Sequence, residues 1–278
     1  MTTLLGRGQL RKMQTQAEEL VQYGLPVGDN IIDMNPLIGE RLHLEYCGLI
    51  QCIHCGRKSK KSFSQGYCYP CFSKLAQCDS CIVSPEKCHY YEGSCREPEW
   101  GEANCLVDHI VYLANSSGLK VGITRGSQVP TRWMDQGAIQ ALPIIRVSDR
   151  RLSGLVEVVI KQHAADKTNW RAMLKGQVDT LDLAAERDRL LAKCHAELTA
   201  LQQEHGLGAV QIILDGTPWN FVYPVEQHPE KVVSFNLDKN PVVEGQLMGI
   251  KGQYLIFDSG VINMRKYGGY ELVVSLCD

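Results

Sequence analysis

Eight cysteines fall within one short stretch of the chain, and their spacing constrains the fold more than any other feature. They are Cys52, Cys55, Cys68, Cys71, Cys78, Cys81, Cys88 and Cys95. The first six form three Cys-x2-Cys pairs. A pair of this kind places two thiolates on one tight turn, where both can occupy neighbouring corners of a metal tetrahedron. The pattern therefore predicts metal sites in this stretch.

The simplest partition of these cysteines gives two four-sulfur sites, each holding one structural Zn²⁺ ion. The first site takes Cys52, Cys55, Cys68 and Cys71, and the second takes Cys78, Cys81, Cys88 and Cys95. An interleaved pairing stays open, as does a [4Fe–4S] cluster, which also binds four thiolates. His54 or His89 could replace one of the cysteines. A complete sulfur set leaves no open coordination position, which indicates a structural metal rather than a catalytic one.

Composition limits which cellular compartment and which class of partner we expect. The N-terminal sequence MTTLLGRGQLRKMQ lacks the apolar stretch of a secretory signal, and no run approaches the roughly 18 apolar residues of a membrane span. Clustered thiols without an export signal indicate a reducing compartment, so we expect a cytoplasmic protein with no membrane partner. The net charge of −2 provides no overall attraction for nucleic acid, although local patches can still supply one.

Hydrophobic patterning predicts an α+β fold in five segments. These are an N-terminal segment at 1–51, the eight-cysteine module at 52–100, an α/β core at 108–176, one long helix at 177–206 and a β-rich region at 207–278. Short apolar runs separated by turn residues predict a small β-barrel in the last segment. The alternating stretch at 39–51 is expected to pair with the strands of that barrel.

The predicted α/β core begins with a hairpin, in which HIVYLA and LKVGIT are strands joined by the turn NSSG. A helix starts in VPTRWMDQGA, and LPIIRV is expected to be a third strand. A second helix is predicted over SGLVEVVIKQHAAD, with Ser153 as its N-cap.

The motifs of this core resemble those of the GIY-YIG nuclease superfamily, particularly its phage-type variant, in which the second motif reads Lys-Ile/Val-Gly. The first motif matches Ile-Val-Tyr ending at Tyr112, and the second matches Lys120-Val-Gly. The arginine and the metal-binding glutamate of that superfamily match Arg132 and Glu157. The chain is also similar to a bacterial family that joins a cysteine-rich module to such a core, on the basis of KKSFSQGYCYPC, WGEANC and GIKGQYLIFDSGVINMRKY.

This resemblance implies a metal-dependent nuclease that cleaves phosphodiester bonds in DNA or RNA. Glu157 would hold Mg²⁺ or Mn²⁺, Arg132 would balance developing negative charge, and Tyr112 would orient the attacking water. Lys120 stands where the best-studied members have a second tyrosine. A lysine there could bind phosphate, or act as a base if it is desolvated.

Basic side chains near the cysteines are predicted to contact nucleic acid, together with one arginine of the core. They are Arg57, Lys58, Lys60, Lys61 and Arg125. Phe63 and Tyr67 lie among the first four, and this mixture of cations and aromatic rings suits phosphate contact and base stacking. Two alternatives remain open: a catalytically inactive nucleic-acid-binding zinc protein, and a zinc-stapled scaffold for protein partners.

Overall fold

A computed structural model describes residues 2–277, which form a mixed α/β chain with three sheets. Its strands are β1 (Thr2–Gln9), β2 (Gln14–Gln16), β3 (Gln22–Val27), β4 (Asn30–Asp33), β5 (Arg41–Gln51), β6 (Lys58–Ser59), β7 (His109–Asn115), β8 (Leu119–Arg125), β9 (Gln140–Val147), β10 (Val210–Ile212), β11 (Trp219–Asn220), β12 (Val242–Lys251), β13 (Tyr254–Phe257), β14 (Gly260–Asn263) and β15 (Tyr270–Cys277). Its helices are α1 (Tyr69–Lys74), α2 (Pro98–Asn104), α3 (Thr131–Asp135), α4 (Arg150–Ile160), α5 (Trp170–Leu174), α6 (Leu183–Lys193) and α7 (His195–His205).

The chain divides into two units. One unit comprises Met1–Ser73, Leu174–Gly176 and Phe221–Asp278, and the other comprises Lys74–Met173 and Gln177–Asn220. The division after Ser73 falls inside the stretch predicted as a single cysteine module. The first four cysteines of that stretch therefore belong to one unit, and the last four belong to the other.

The first unit is built on a sheet with the strand order β1-β15-β5-β12-β13-β14. Strand β5, from the N-terminal part of the sequence, lies between two strands from the C-terminal part. Its Leu44 pairs with Val243 of β12 on one side and with Val274 of β15 on the other. Leu42 and Leu44 point into the core and are fully buried. The described strands form an open path with β1 and β14 at its ends, and no ladder joins these two strands. The closed barrel predicted from the sequence is therefore not found.

The second unit is built on the sheet order β10-β9-β7-β8, in which β7 and β8 form the predicted hairpin. Helix α4 packs on this sheet through Val156 and Ile160, both fully buried. It begins at Arg150, earlier than predicted, because the Asp149 carboxylate accepts a hydrogen bond from the Leu152 N–H at 2.9 Å. Asp149 is therefore the N-cap, and Ser153, predicted for that role, is buried inside the helix.

The stretch predicted as one helix over 177–206 contains two helices, α6 and α7. The Asp182 carboxylate caps the N–H groups of Ala184 and Ala185, so the first helix begins only at Leu183. The break falls at Cys194, whose side chain is fully buried and whose backbone leaves the helical region. Within residues 2–277, no helix combines the length and apolar character that crossing a bilayer requires.

Candidate functional site

The first four predicted ligands meet at one point in the first unit. The Sγ atoms of Cys52, Cys55, Cys68 and Cys71 all lie within 4.8 Å of one another. Strand β5 leads directly to Cys52, whose carbonyl accepts the Gly56 N–H at 2.9 Å and closes the turn of the first pair. The second pair enters α1, where the Phe72 N–H donates to the Cys68 carbonyl at 2.9 Å. Two Cys-x2-Cys turns therefore face each other.

The pKa values of Cys52 and Cys71 are shifted in opposite directions. Burial alone would raise the pKa of Cys52, but hydrogen bonds from the backbones of Cys55, Cys68 and His54 lower it to about 6. Burial, followed by hydrogen bonding to Cys55, raises the pKa of Cys71 well above its usual value. The Cys52 thiolate is therefore favoured before any ion binds, whereas deprotonation of Cys71 needs a bound cation. This geometry is compatible with a structural metal such as zinc.

The last four predicted ligands do not form a second close group of this kind. Cys81, Cys88 and Cys95 line one small cavity in the second unit, whereas Cys78 is buried and does not line it. Among the described residues, the ligand atoms of Asp79, Cys81 and His89 also lie within 4.8 Å of one another. Asp79, however, is already paired with Arg96 at 2.7 Å and with His89 at 3.4 Å.

The four residues predicted to be catalytic lie in the second unit and interact with one another. On the β7–β8 hairpin, Tyr112 pairs with Gly122, and Lys120 lies two residues before Gly122 on the same face. Arg132 projects from α3 and interacts electrostatically with Tyr112, Lys120 and Glu157. Four separate elements thus bring together side chains that are far apart in the sequence.

A fifth side chain, Gln136, connects the buried part of this group, and the sequence analysis missed it. Its Oε1 atom accepts a hydrogen bond from the Tyr112 hydroxyl at 3.1 Å and another from the Lys120 Nζ at 2.6 Å. Gln136 follows Arg132 by four residues, so both lie on one face of the α3 turn. The four-residue spacing of Arg132 and Gln136 in TRWMDQ is the sequence feature that could have indicated a shared role.

The burial of the group divides it into a floor and a rim. Tyr112 is fully buried and Lys120 is 4% exposed, whereas Arg132 and Glu157 are half-buried. Burial, followed by the charge of Arg132, lowers the pKa of Lys120 to about 8. Burial also raises the pKa of Glu157, and the nearby Asp166 carboxylate raises it further. The site therefore combines a lysine that is easily deprotonated with two carboxylates that repel each other.

The polar run after α4 contributes to the same site. The Thr168 hydroxyl accepts a hydrogen bond from the Lys120 Nζ at 2.7 Å, and the exposed Asp166 interacts electrostatically with Lys120 and Glu157. The backbone of this segment is held by the Val121 N–H, which donates to the Ala165 carbonyl at 2.7 Å. These residues therefore belong to the rim of the site.

Gly122 leaves space for the Tyr112 ring. A Cβ atom at position 122 would lie 2.7 Å from the ring Cζ and the hydroxyl oxygen of Tyr112. Because that ring is packed on all sides, it has no free direction in which to move.

We expect Gly122→Ala to lower the free energy of unfolding by about 1–3 kcal/mol, the usual cost of overpacking a core. Gly208→Ala is the matched control, since a Cβ atom there meets nothing within 4 Å. Urea unfolding of both variants measures the difference. A Gly122→Ala protein as stable as Gly208→Ala would contradict the packing described here.

Of the basic residues predicted to contact nucleic acid, four are exposed in the first unit, and the fifth is hydrogen-bonded in the second unit. Arg57, Lys58, Lys60 and Lys61 are all exposed on the first unit, beside the four-cysteine cluster. Phe63 packs against Phe72 and Tyr69, with ring centroids 5.6 Å and 5.5 Å apart. In the second unit, the Arg125 guanidinium donates to the Asn104 side-chain oxygen, so this cation is already engaged.

Comparison with known proteins gives one family match. A family model described as a protein of unknown function, DUF2797, matches residues 39–272, which include both groups of side chains described above. No curated protein and no solved structure matches the chain.

Proposed function

We propose that this chain, which belongs to the DUF2797 family of proteins of unknown function, cleaves phosphodiester bonds in nucleic acid with the side chains of Tyr112, Lys120, Arg132 and Glu157. The main support is the network that links these residues with Gln136 in one unit. Their order along the chain and their resemblance to the GIY-YIG motifs agree with the proposal. The class of nucleic acid, DNA or RNA, is left to experiment.

Lys120 is the general base in this proposal. A lysine at its ordinary pKa is protonated at neutral pH and cannot accept a proton. Burial beside Arg132 lowers the pKa of Lys120 to about 8, so about a tenth of the side chains are neutral at pH 7 and about half at pH 8. Gln136 and Thr168 each accept one N–H from its Nζ and hold the amine in place. The remaining lone pair can take a proton from water.

Glu157 is the metal ligand in this proposal, assisted by Asp166. Carboxylate oxygens are the ligands that Mg²⁺ prefers. Burial, followed by the neighbouring Asp166 carboxylate, raises the pKa of Glu157, and a bound cation would favour its charged form. The donor set therefore fits a hard divalent ion. Such an ion would neutralise charge on the scissile phosphate and polarise it. Arg132, on the same rim, balances the negative charge that develops on the phosphate oxygens.

Tyr112 acts as a positioning residue rather than as a contact to the attacking water. Its side chain is fully buried, and its hydroxyl donates to Gln136, which also holds Lys120. Its hydroxyl also interacts with Arg132. Tyr112 thus holds the base and the cationic side chain in fixed relative positions.

Zn²⁺ is proposed to occupy the cluster of Cys52, Cys55, Cys68 and Cys71 as a structural ion. The segment between the two pairs, which includes β6, carries the exposed Lys58, Lys60 and Lys61. Exposed cations on a segment that is held at both ends by the cysteine cluster suit contact with phosphates, because less backbone freedom is lost on binding. These lysines are proposed to add affinity for nucleic acid without regard to its sequence.

One observation favours a second candidate function, a nucleic-acid-binding protein without cleavage. Tyr112 and Lys120 are almost inaccessible to solvent, and both are satisfied by Gln136. A water molecule must reach the Lys120 Nζ for the base mechanism to operate. The two candidates are separated by the dependence of cleavage on pH and on the identity of residue 120.

For the wild type we expect kcat/KM for cleavage to rise with pH and to level off above about 8, because the neutral Lys120 amine is the active form. Arginine retains the charge but stays protonated at every accessible pH. Lys120→Arg should therefore keep nucleic-acid affinity and lose on the order of 10²–10⁴ in rate.

The matched control is Lys167→Arg, at an exposed lysine near the site. Rates measured from pH 6 to 10, at a constant concentration of Mg²⁺, report both effects. If the Lys120→Arg protein cleaves at the wild-type rate, then Lys120 only binds phosphate and is not the base. The absence of cleavage by the wild type would favour the binding protein.

A further inference from the structure

An open groove in the first unit is lined by three cations and an aromatic ring. Its volume is about 400 Å³, and it lies where the stretch after β1, the segment between the two cysteine pairs and the turn before β15 meet. The cations are Arg11, Lys12 and Arg265, and within residues 2–277 no aspartate or glutamate lines the groove. A cleft lined by charges of one sign concentrates its potential, so the groove attracts anions although the net charge of the chain is −2.

The first wall of the groove is fixed by backbone hydrogen bonds on both sides. The Leu10 N–H donates to the Tyr270 carbonyl at 2.8 Å, and the Arg11 N–H donates to the Pro26 carbonyl at 3.1 Å. The Arg11 side chain is exposed, and its Nη2 donates to the neutral Gln9 side chain at 3.4 Å. This wall therefore holds a solvent-accessible guanidinium on a well-anchored backbone.

The second wall is a tight turn that follows the first cysteine pair of the metal cluster. The Gly66 N–H donates to the Phe63 carbonyl at 3.1 Å, and the two residues between them, Ser64 and Gln65, have φ angles of 43° and 65°. Glycine and asparagine are the usual residues at such positions. The turn instead carries a hydroxyl and an amide, both of which can donate to an anion. Ser64, Gln65 and the half-buried Tyr67 all line the groove.

The third wall is packed directly against this turn. The Ser62 hydroxyl donates to the Gly268 carbonyl at 2.7 Å. A Cβ atom at position 268 would clash with the Gln65 carbonyl oxygen, so a glycine is needed for the two segments to approach this closely. Arg265 lies in the 3₁₀ helix Met264–Tyr267, immediately before this contact. The third cation is therefore held beside the polar turn.

The size and chemistry of the groove favour one class of ligand. A volume of about 400 Å³ is near the lower end of the range of about 300–1,000 Å³ for sites that enclose a small molecule, so the groove has room for a nucleotide unit rather than for a duplex. Arginine and lysine neutralise phosphates, and an aromatic ring stacks on a base of any sequence. Only an unpaired base is free to reach such a ring.

We propose that this groove binds single-stranded nucleic acid, with Arg11, Lys12 and Arg265 on its phosphates and Tyr67 stacked on a base. The identity of the ligand rests on the proposed function, but the cleavage step does not enter. The groove lies in the first unit, whereas the candidate catalytic residues lie in the second. Binding can therefore be tested separately from cleavage.

The test of the cations is the salt dependence of binding, measured by fluorescence anisotropy with labelled oligothymidylate and oligouridylate. No divalent ion is added, so that cleavage does not interfere. Each phosphate contact contributes about 0.7 to the slope of log K against log salt for a single strand. Arg11→Gln should lower this slope by about 0.7. The triple change Arg11→Gln, Lys12→Gln and Arg265→Gln should lower it by about 2 and weaken binding on the order of 10²-fold at 0.1 M salt.

The matched control for Arg11→Gln is Lys239→Gln, which removes one exposed cation of the same unit from outside the groove. Its slope should equal that of the wild type. Urea unfolding and zinc content show whether each variant keeps its fold. Because Arg11 is exposed, its single variant remains informative even if the triple variant does not fold.

The test of the ring uses two variants of Tyr67. Tyr67→Leu should weaken binding by about 5–150-fold, the usual effect of removing one stacked aromatic ring. Tyr67→Phe keeps the ring and should bind like the wild type. Wild-type affinity in Tyr67→Leu would remove the base contact and overturn the assignment of the groove to single strands.

A salt slope that is unchanged in Arg11→Gln, or lowered equally in Lys239→Gln, would also overturn the proposal. Failure of the groove and failure of the nuclease give different results. A protein that cleaves nucleic acid but shows no effect of the groove variants rejects the groove alone. A protein that shows the expected effects on binding but cleaves nothing keeps the groove and rejects the nuclease.

Discussion

Cys68→Ser is expected to lose one equivalent of zinc and to unfold most of the first unit. Cys68 is 2% exposed, and its sulfur lies 3.7 Å from that of Cys55. The apparent binding free energy of structural zinc in finger peptides is about 10–16 kcal/mol. The unfolding free energy of a whole domain is only about 5–15 kcal/mol. The first unit therefore cannot tolerate the loss of a ligand, and circular dichroism with elemental analysis should show both losses together.

The matched control is Cys47→Ser in the same unit. Cys47 is exposed on β5, outside the four-cysteine cluster, so the variant should keep its zinc and its urea midpoint. A Cys68→Ser protein that lacks zinc but unfolds at the same urea concentration as Cys47→Ser would show that the cluster does not stabilise the fold.

Glu157→Gln is expected to lower the cleavage rate by more than about 10²-fold, while nucleic-acid binding and stability remain near those of the wild type. The amide keeps the size and one oxygen of the carboxylate but removes the negative charge that a hard divalent ion requires. Glu157 is half-buried near Asp166, so removal of one charge also relieves repulsion between the two carboxylates. Single-turnover cleavage measures the loss of rate, and urea unfolding shows that the fold is intact.

Glu197→Gln is the control for Glu157→Gln. Glu197 is an exposed glutamate on α7 in the same unit, and its substitution should leave the rate unchanged. Equal rates for the two variants would remove Glu157 from the mechanism. A Glu157→Gln protein that no longer binds nucleic acid would place Glu157 in substrate binding instead.

Features set by neighbouring residues were predicted well from the sequence. Two Cys-x2-Cys pairs are sufficient to define the first cluster, because each pair forms its own turn. The β7–β8 hairpin followed from alternation on both sides of the NSSG turn, where the Gly118 N–H donates to the Asn115 side chain at 3.2 Å. The order of strands and helices in this core could be predicted from the sequence because it depends on such local patterns.

Features that depend on distant contacts were missed or predicted wrongly. Cys105 lies ten residues after Cys95, and the packing of α2 places it in the wall of the cavity that Cys81, Cys88 and Cys95 also line. Gln136 has no motif of its own, and its role depends on the positions of Tyr112 and Lys120. Ser153 was predicted as an N-cap because it precedes an apolar run, but the Asp149 carboxylate accepts the Leu152 N–H one turn earlier.

Cleavage of a nucleic-acid panel tests the central claim most directly. Single- and double-stranded DNA and RNA are incubated with wild type or Glu157→Gln, first with a chelator selective for divalent ions and then with Mg²⁺ or Mn²⁺ restored. The claim predicts that wild type cuts at least one substrate only when the divalent ion is present, and that Glu157→Gln cuts none. Cleavage absent from every wild-type reaction, or equal in the two proteins, would contradict it.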